Sequence, residues 1–155
     1  MDYPSETNNY LVEHAKLIRH SYSHWLLDEL IPQSKSELDF AKRLFEADFA
    51  LVTHNTEAEP VFNYANQKAL DLFEFNWQDF TRLASKHSAE PVNQSERERL
   101  LTLVTKNGYI DDYEGIRVSS TGKRFVIRNA IVWNLVDENQ VYQGQAACFD
   151  QWSYL

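Results

Sequence analysis

The chain has 155 residues, of which 43% are hydrophobic and 25% charged, and its formal net charge is −8. This length predicts one domain with its own core, and the acidic balance without a dense Lys/Arg patch argues against nucleic-acid binding, whose affinity depends on phosphate contacts. The single cysteine argues against a disulfide framework, and no apolar run is long enough to cross a bilayer. The polar N-terminus does not resemble a signal peptide. We therefore expect a cytoplasmic protein without membrane or nucleic-acid partners.

The first part of the chain is predicted to be helical. Apolar residues at helical spacing indicate a helix from about Asn9 to Leu30, which Pro32 ends. A second helix begins near Ser36, which with Asp39 approximates a capping box. We assign residues 1–48 to an N-terminal helical extension of the same domain. The apolar stripe of the first helix is wider than one sheet face needs, and this predicts a homodimer interface formed by Leu11, Ala15, Ile18, Tyr22 and Trp25.

The spacing then changes to that of strands. "FALVT" (residues 49–53) is an apolar run typical of a buried strand, and "VFNYAN" (residues 61–66) follows across a polar turn, which together predict a hairpin. Asn66 is placed to cap the next helix, which carries Leu70 and Phe73. Asn76 is placed to cap a further short helix that begins at Trp77.

One more helix and three strands are predicted in the rest of the chain. "SKHSAEPVNQ" (residues 85–94) is expected to be a loop, Ser95 and Glu98 a capping box, and Asn107–Gly108 the end of the helix. Strands follow over about 109–119, 123–136 and 141–149, separated by the turns "STG" and "DENQ". The order predicts an α+β fold in which a five-stranded antiparallel sheet is covered by helices on one face, with residues 49–155 as the core.

This order and several long stretches resemble a known family. The order is that of a PAS domain, a common small sensor fold. The stretches "SYSHWLLDEL", "FNYANQKALDLFEFNWQDF" and "GYIDDYEGIRVSSTGKRFVIRNAIVWNLVDENQVYQGQAACFDQW" resemble the PAS-like MEKHLA domain family, over about residues 22–152. Such domains occur as stand-alone bacterial proteins, notably in cyanobacteria, and at the C-terminus of plant homeodomain-leucine-zipper transcription factors. The resemblance implies a sensory or dimerisation-regulating module. Because this chain carries no homeodomain or zipper, a direct transcriptional role is not carried over.

Aromatic and amide side chains of this fold predict a cavity between the sheet and the helices. A few polar groups in an apolar cavity are typical of a small-molecule site, although a filled core with satisfied amides explains the same residues equally well. Of the two asparagines in "FNYAN", we interpret Asn66 as structural and Asn63 as a pocket contact. His54 either contacts a ligand or caps the hairpin turn, and we favour the turn. The candidate ligand-binding residues are His54, Phe62, Asn63, Tyr64, Phe73, Trp77, Tyr113, Arg117, Asn129, Trp133, Gln145 and Phe149.

Other candidate sites are better explained by ordinary structure. His20 and His24 have a metal-chelating spacing but no further ligand, so no metal site is predicted. His87 lies in a polar loop, which does not suit haem, and Cys148 lies in a predicted strand, which does not suit a flavin-cysteinyl adduct. We interpret the charged residues near the third strand as cross-strand ion pairs on a solvated face. The expected acidic partners of Arg117 and Arg124 are Asp111, Asp112 and Glu114. Lys123 and Arg128 belong to the same solvated face.

No GxSxG, HExxH, phosphate-binding loop or dinucleotide fingerprint appears in the sequence. The leading hypothesis is therefore a regulatory module that binds an unidentified small molecule or protein partner, signals through dimerisation and performs no catalysis. The alternatives are a small isomerase-like α+β enzyme with an acid/base residue in its pocket, and an interaction scaffold with a filled core. The sequence identifies no cofactor.

Overall fold

The computed structural model describes residues 1–90 and 94–155. Its helices are α1 (Val12–Leu26), α2 (Glu37–Phe45), α3 (Gln67–Phe73), α4 (Trp77–Phe80) and α5 (Gln94–Asn107). Its strands are β1 (Ala50–His54), β2 (Phe62–Ala65), β3 (Tyr109–Val118), β4 (Arg124–Val136), β5 (Tyr142–Phe149) and β6 (Gln151–Tyr154). Short 3₁₀ helices span Glu6–Leu11 and Ser85–Ser88. The predicted order of elements is confirmed, and β6 is an addition to it.

The strands form one antiparallel sheet in the order β2-β1-β5-β4-β3, and β6 also pairs with β4. β6 lies against the first part of β4, up to Arg128, and β5 lies against the second part, from Ile131 onward. Between them Asn129 has a φ of 52°, in the left-handed region. A single bulged residue thus allows β4 to change partners, and the predicted five strands become six.

The helical segment α3–α5 covers one face of the sheet, as predicted. The Phe73 ring of α3 contacts Phe125 of β4, with 5.3 Å between ring centroids. The opposite face is covered by α1, whose Tyr22 ring lies 5.1 Å from the Trp133 ring. Trp25 of α1 also donates from Nε1 to the carbonyl oxygen of Asn134, at 2.9 Å. The sheet is therefore covered on both sides, with the N-terminal extension forming the second layer.

This arrangement corrects the expected length of the first helix and shows what its apolar stripe covers. The helix is shorter than predicted, because residues 9–11 have positive φ values and Leu27 is left-handed at its C-terminus. The apolar stripe faces the chain's own sheet rather than a second copy. Ala15 and Ile18 have no solvent exposure, and Leu11 and Trp25 pack against the same core. The stripe therefore serves the fold of the single chain, and the homodimer stays a prediction.

Asn66 joins three elements through four hydrogen bonds at the strand-to-helix junction. Its side-chain oxygen accepts from the Ala69 amide at 3.1 Å, which confirms the predicted cap, and from the Leu51 amide at 3.0 Å. Its amide nitrogen donates to the carbonyl oxygens of Leu44 at 3.1 Å and Phe49 at 2.8 Å. The side chain is completely buried. It thus links the end of α2, the start of β1 and the first turn of α3.

The remaining helix boundaries follow the sequence signals in most places. Ser36 accepts from the Asp39 amide at 3.0 Å, and Asn76 accepts from the Asp79 amide at 2.8 Å. The predicted capping pair that begins at Ser95 is wrong, because α5 begins at Gln94 and Ser95 lies inside it. The predicted loop of residues 85–94 contains the second 3₁₀ helix, and its residues 91–93 lie outside the described part of the chain.

Candidate functional site

A cavity lies between the sheet and α5, on the face opposite α1. Its volume is about 60 Å³, which is room for about four water molecules. That is small beside the few hundred Å³ typical of pockets for drug-sized ligands. The apolar part of its lining comes from Val52, Phe62, Phe73, Leu100, Leu101, Ile127, Val132, Ala147 and Phe149. The polar part comes from Thr53, His54, Ser85, Ser88, Arg97, Tyr113, Arg117 and Gln145, with Ala146 beside them.

The structure brings one group of the predicted pocket residues together around this cavity: His54, Phe62, Phe73, Tyr113, Arg117, Gln145 and Phe149. Strand pairing explains the position of the two central ones. His54 at the end of β1 is the direct neighbour of Gln145 on β5, and paired residues of an antiparallel sheet point to the same face.

The structure places the other predicted pocket residues elsewhere. Asn63 accepts a hydrogen bond from the Thr53 hydroxyl at 2.5 Å, and that hydroxyl also contacts His14 of α1. Tyr64 lies under α1 with its ring 5.5 Å from the His14 ring. Trp133 packs on Tyr22, as described above. Trp77 donates to the carbonyl oxygen of Met1 at 2.9 Å, and the exposed Asn129 donates to Gln151 at 3.2 Å.

Asn63 leaves the cavity because of a bulge in β2. Thr53 pairs with Tyr64, whereas the next residue, His54, pairs with Phe62, so Asn63 is an extra residue in the register. A bulged residue breaks the strict alternation of side chains. Phe62 consequently faces the cavity while Asn63 faces α1. This corrects the expectation that Asn63 is the pocket contact of the pair.

Arg97 brings a positive charge into the cavity wall from α5. It lies three, four and seven positions before Leu100, Leu101 and Val104, so it shares their inward helical face. Its guanidinium donates to the Ser85 hydroxyl at 2.5 Å. Burial lowers the pKa of Arg97, and the charge of Arg117 lowers it further.

Arg117 contributes a second guanidinium, from β3. One of its nitrogens donates to the Tyr113 hydroxyl at 3.2 Å and another to the carbonyl oxygen of Ile116. The group also lies 5.4 Å from the centre of the Tyr113 ring, a cation–π distance. Within residues 1–90 and 94–155, neither Arg97 nor Arg117 forms an ion pair.

The acidic partners expected for Arg117 and Arg124 lie elsewhere. Glu114 pairs with Arg128 at 3.3 Å, and Arg124 pairs with Glu90. Lys123 has Glu74 at 3.7 Å. The predicted pairs of Arg117 and Arg124 are therefore wrong: Glu114 forms its cross-strand pair with Arg128, Arg124 pairs with a residue outside the strands, and Arg117 turns into the cavity.

His54 supplies an unpaired nitrogen. Its Nδ1 lies 2.9 Å from the carbonyl oxygen of Asn55, and because a carbonyl only accepts, Nδ1 carries the hydrogen. The buried Nε2 has no hydrogen-bond partner among the described residues, although the Gln145 side chain is its neighbour. Burial lowers the pKa of His54, so the ring is neutral at pH 7 and Nε2 is a free acceptor. The two interpretations of His54 coexist: one ring nitrogen holds the turn and the other lies at the cavity.

The remaining candidate groups lie apart from the cavity. Cys148 pairs with Leu51 and Ile131 and lies on the α1 face, where burial raises the pKa of its thiol to about 12. The rings of His20 and His24 stack 6.4 Å apart. In the described ranges, no group of three or more histidines, cysteines or acidic residues is placed to hold a metal ion. Likewise, the described residues include no helix both long and apolar enough to cross a membrane.

Sequence reasoning missed Arg97, together with Ser85 and Ser88. The signal for Arg97 was present, since a charged residue interrupts the apolar face of α5 at a position that must point inward. The two serines carried no comparable signal. They reach the cavity because the second 3₁₀ helix is held against the segment just before β2, where the Ser85 amide donates to the carbonyl oxygen of Pro60 at 2.8 Å.

Comparison with known proteins gives the family of the chain. The model of the MEKHLA domain matches residues 12–154. The chain belongs to the MEKHLA domain family. Among curated proteins, the MEKHLA chain is similar to the homeobox-leucine zipper protein HOX10 of Oryza sativa subsp. indica, with 26% identity over 145 residues that cover 91% of this chain. It is also 32% identical over 103 residues, or 64% of the chain, to the homeobox-leucine zipper protein ATHB-9 of Arabidopsis thaliana.

The MEKHLA chain spans only a small part of these relatives, 17% of HOX10 and 12% of ATHB-9. Among solved structures it is similar to the PAS domain of a protein from Colwellia psychrerythraea, with a TM-score of 0.62 and 13% sequence identity. That match covers 74% of this chain and 92% of the solved one. The PAS-like fold of the MEKHLA chain is thereby confirmed.

Proposed function

We propose that this MEKHLA domain is a regulatory sensor module that binds a small molecule in the cavity under α5. One observation carries the proposal: Nε2 of His54, a buried polar atom at the cavity, has no hydrogen-bond partner among the described residues, which is costly unless something else satisfies it. The half-buried guanidiniums of Arg97 and Arg117 in the same wall also leave most of their donors without a partner among those residues. The sensory role itself rests on the PAS-like fold and on the regulatory proteins in which related domains occur.

The route of the signal starts at α5. This helix carries Arg97, Leu100 and Leu101 on the cavity side and packs mainly on β3. It is also tied to β4, because the Asn134 side chain donates to the carbonyl oxygen of Val104 at 3.0 Å. A ligand that attracts Arg97 changes how α5 seats on the sheet and so changes the outer surface of α5. We propose that this outer surface is what a downstream partner detects.

Native mass spectrometry of protein purified from its source organism tests the proposal. We expect a non-covalent mass that is released on unfolding. Ala147→Leu is the matched variant, because Ala147 is paired with Val52 and Val132 in the cavity wall and a larger side chain fills the space. Ala58→Leu, in the exposed loop after β1, is the control for the added leucine.

The proposal requires that Ala147→Leu loses the bound mass while keeping its fold, and that Ala58→Leu retains it. A bound mass that survives in Ala147→Leu places the ligand elsewhere and refutes this site. The absence of any bound mass, together with no thermal stabilisation by any compound in a metabolite screen, refutes ligand sensing altogether.

A further inference from the structure

The chemistry of the cavity is that of an anion site. Arg97 and Arg117 bring two full positive charges to one small space, and no aspartate or glutamate is among the described residues that line it. A guanidinium has five N–H donors, yet to the described residues Arg97 donates one hydrogen bond and Arg117 two. Two like charges that are partly desolvated repel each other unless an anion lies between them.

Both arginines are nevertheless held in place. Arg97 is fixed by Ser85, which the second 3₁₀ helix positions, and Arg117 is fixed by the hydroxyl and ring of Tyr113. Neither anchor neutralises a charge. The geometry therefore keeps the guanidiniums positioned while leaving their charge for something in the cavity. Arginine suits this task because its planar donors match the two oxygens of a carboxylate.

The arginines require a hydrogen-bond acceptor on the ligand, whereas His54 requires a donor. Its neutral ring exposes a bare acceptor at Nε2, so the group next to it must donate a hydrogen bond. A large part of the wall is apolar, including Phe73 and Val132, and the volume of about 60 Å³ admits only a few non-hydrogen atoms. An inorganic anion leaves the apolar wall without a partner, and one that carries no proton also leaves the acceptor without a donor.

We propose that the cavity binds a small hydroxycarboxylate. Its carboxylate lies between Arg97 and Arg117, its hydroxyl donates to Nε2 of His54, and its short carbon body contacts Phe73 and Val132. This inference rests on the proposed ligand-sensing function and specifies its ligand class. The protein holds the ligand by charge, by one directed hydrogen bond and by fit, and no bond in the ligand is made or broken.

Calorimetric titration of the full chain tests the inference with matched probes. Lactate carries both groups, propionate lacks the hydroxyl, lactamide lacks the charge, and phosphate is an anion without a carbon body. We expect lactate to bind at least tenfold more tightly than propionate, and lactamide and phosphate to show no saturable binding.

Three substitutions assign the contacts. Arg97→Gln and Arg117→Gln are each expected to weaken lactate binding at least tenfold, since each removes charge-assisted hydrogen bonds. Arg99→Gln removes the same charge from the exposed side of α5, where Arg99 pairs with Glu96 at 3.1 Å, and should leave binding unchanged. His54→Leu should reduce lactate to the affinity of propionate. Circular dichroism and the melting temperature show that each variant is folded.

The possible outcomes distinguish a failure of the hydroxycarboxylate inference from a failure of the proposed ligand-sensing function. Equal binding of lactamide and lactate overturns the charge requirement, and equal binding of propionate and lactate overturns the role of His54. Tight binding of phosphate overturns the carboxylate class. If no probe binds while native mass spectrometry finds a neutral ligand that Ala147→Leu expels, the hydroxycarboxylate is wrong and ligand sensing stands. If neither experiment finds a ligand, both fail.

Discussion

His14 makes the stability of the protein dependent on pH in a predictable way. Its Nε2 lies 2.9 Å from the Thr53 hydroxyl, which itself donates to Asn63 at 2.5 Å, so Nε2–H is the donor in this short chain. Burial lowers the pKa of His14 from its ordinary value of 6.5 to about 4. The imidazolium is therefore disfavoured in the folded state, and Asn63, Thr53 and the Tyr64 ring around it offer no negative charge.

The sign of the effect follows from which state binds more protons. Between pH 6.5 and 4 the unfolded chain protonates His14 and the folded chain does not, so the free energy of unfolding falls as the pH falls through this window. Lowering the pH from 7.5 to 5 should cost about 2 kcal/mol through this one residue. Above pH 7 both states are neutral at His14 and the residue makes no pH-dependent contribution.

Urea denaturation at a series of pH values measures this contribution as a difference between variants. His14→Gln keeps a side-chain N–H donor and removes the titration, so it should lose about 2 kcal/mol less than the wild type between pH 7.5 and 5. His20→Gln, at an exposed position of the same helix, is the control and should follow the wild type. Parallel pH profiles for wild type and His14→Gln would show that His14 is accessible to protons in the folded state, which refutes the buried arrangement.

Three further predictions concern single positions. Asn66→Ala removes four buried hydrogen bonds at once, two from backbone amides and two to carbonyl oxygens, so we expect a loss of at least about 3 kcal/mol in urea denaturation. A loss near the 1 kcal/mol of a simple cap would contradict the four-way junction. Gly144→Ala should destabilise by more than about 1 kcal/mol in the same assay, because a Cβ there meets the His54 carbonyl oxygen at 2.1 Å and φ is +129°; an unchanged midpoint would refute this contact. Cys148, whose pKa burial raises to about 12, should react with a thiol reagent at pH 8 only as fast as the chain unfolds, and a prompt stoichiometric reaction would refute its burial.

The elements of the fold were predictable because local signals and hydrophobic spacing agree along most of the chain. Asn66 and Asn76 cap helices where the sequence placed them, and the three long strands follow their turns. The failures concern tertiary context. The width of the stripe on α1 predicted contact with a second copy of the chain, whereas the stripe packs on the chain's own sheet. Spacing shows that a helix face is apolar but not which surface covers it. β6 was missed because four residues on a sheet edge carry little hydrophobic signal.

The candidate site was predictable only in part, for a related reason. Strict alternation of side chains along β2 predicted that Asn63 faces the cavity. One bulged residue reverses this order, so that Phe62 faces the cavity and Asn63 faces α1. Such a bulge depends on pairing with β1 and leaves no trace in the strand's own residues. Conversely, Arg97 was overlooked although its position in α5 was informative. An arginine on an inward helical face either forms an ion pair with an acidic residue or keeps its charge without a partner.

The charged residues of this domain divide into two groups by the partners they find. Glu114 and Arg128, and Glu90 and Arg124, satisfy each other on the surface of the sheet. Arg117 lies among the same alternating charges of β3 and β4 but turns into the cavity, where Arg97 is the only other charged residue contributed by the described part of the chain. A chain with a net charge of −8 contains more acidic than basic residues. Its composition therefore does not explain why two arginines lie together without an acidic partner. Their isolation in the cavity wall, beside a histidine whose Nε2 has no partner among the described residues, is the observation on which the proposed binding site rests.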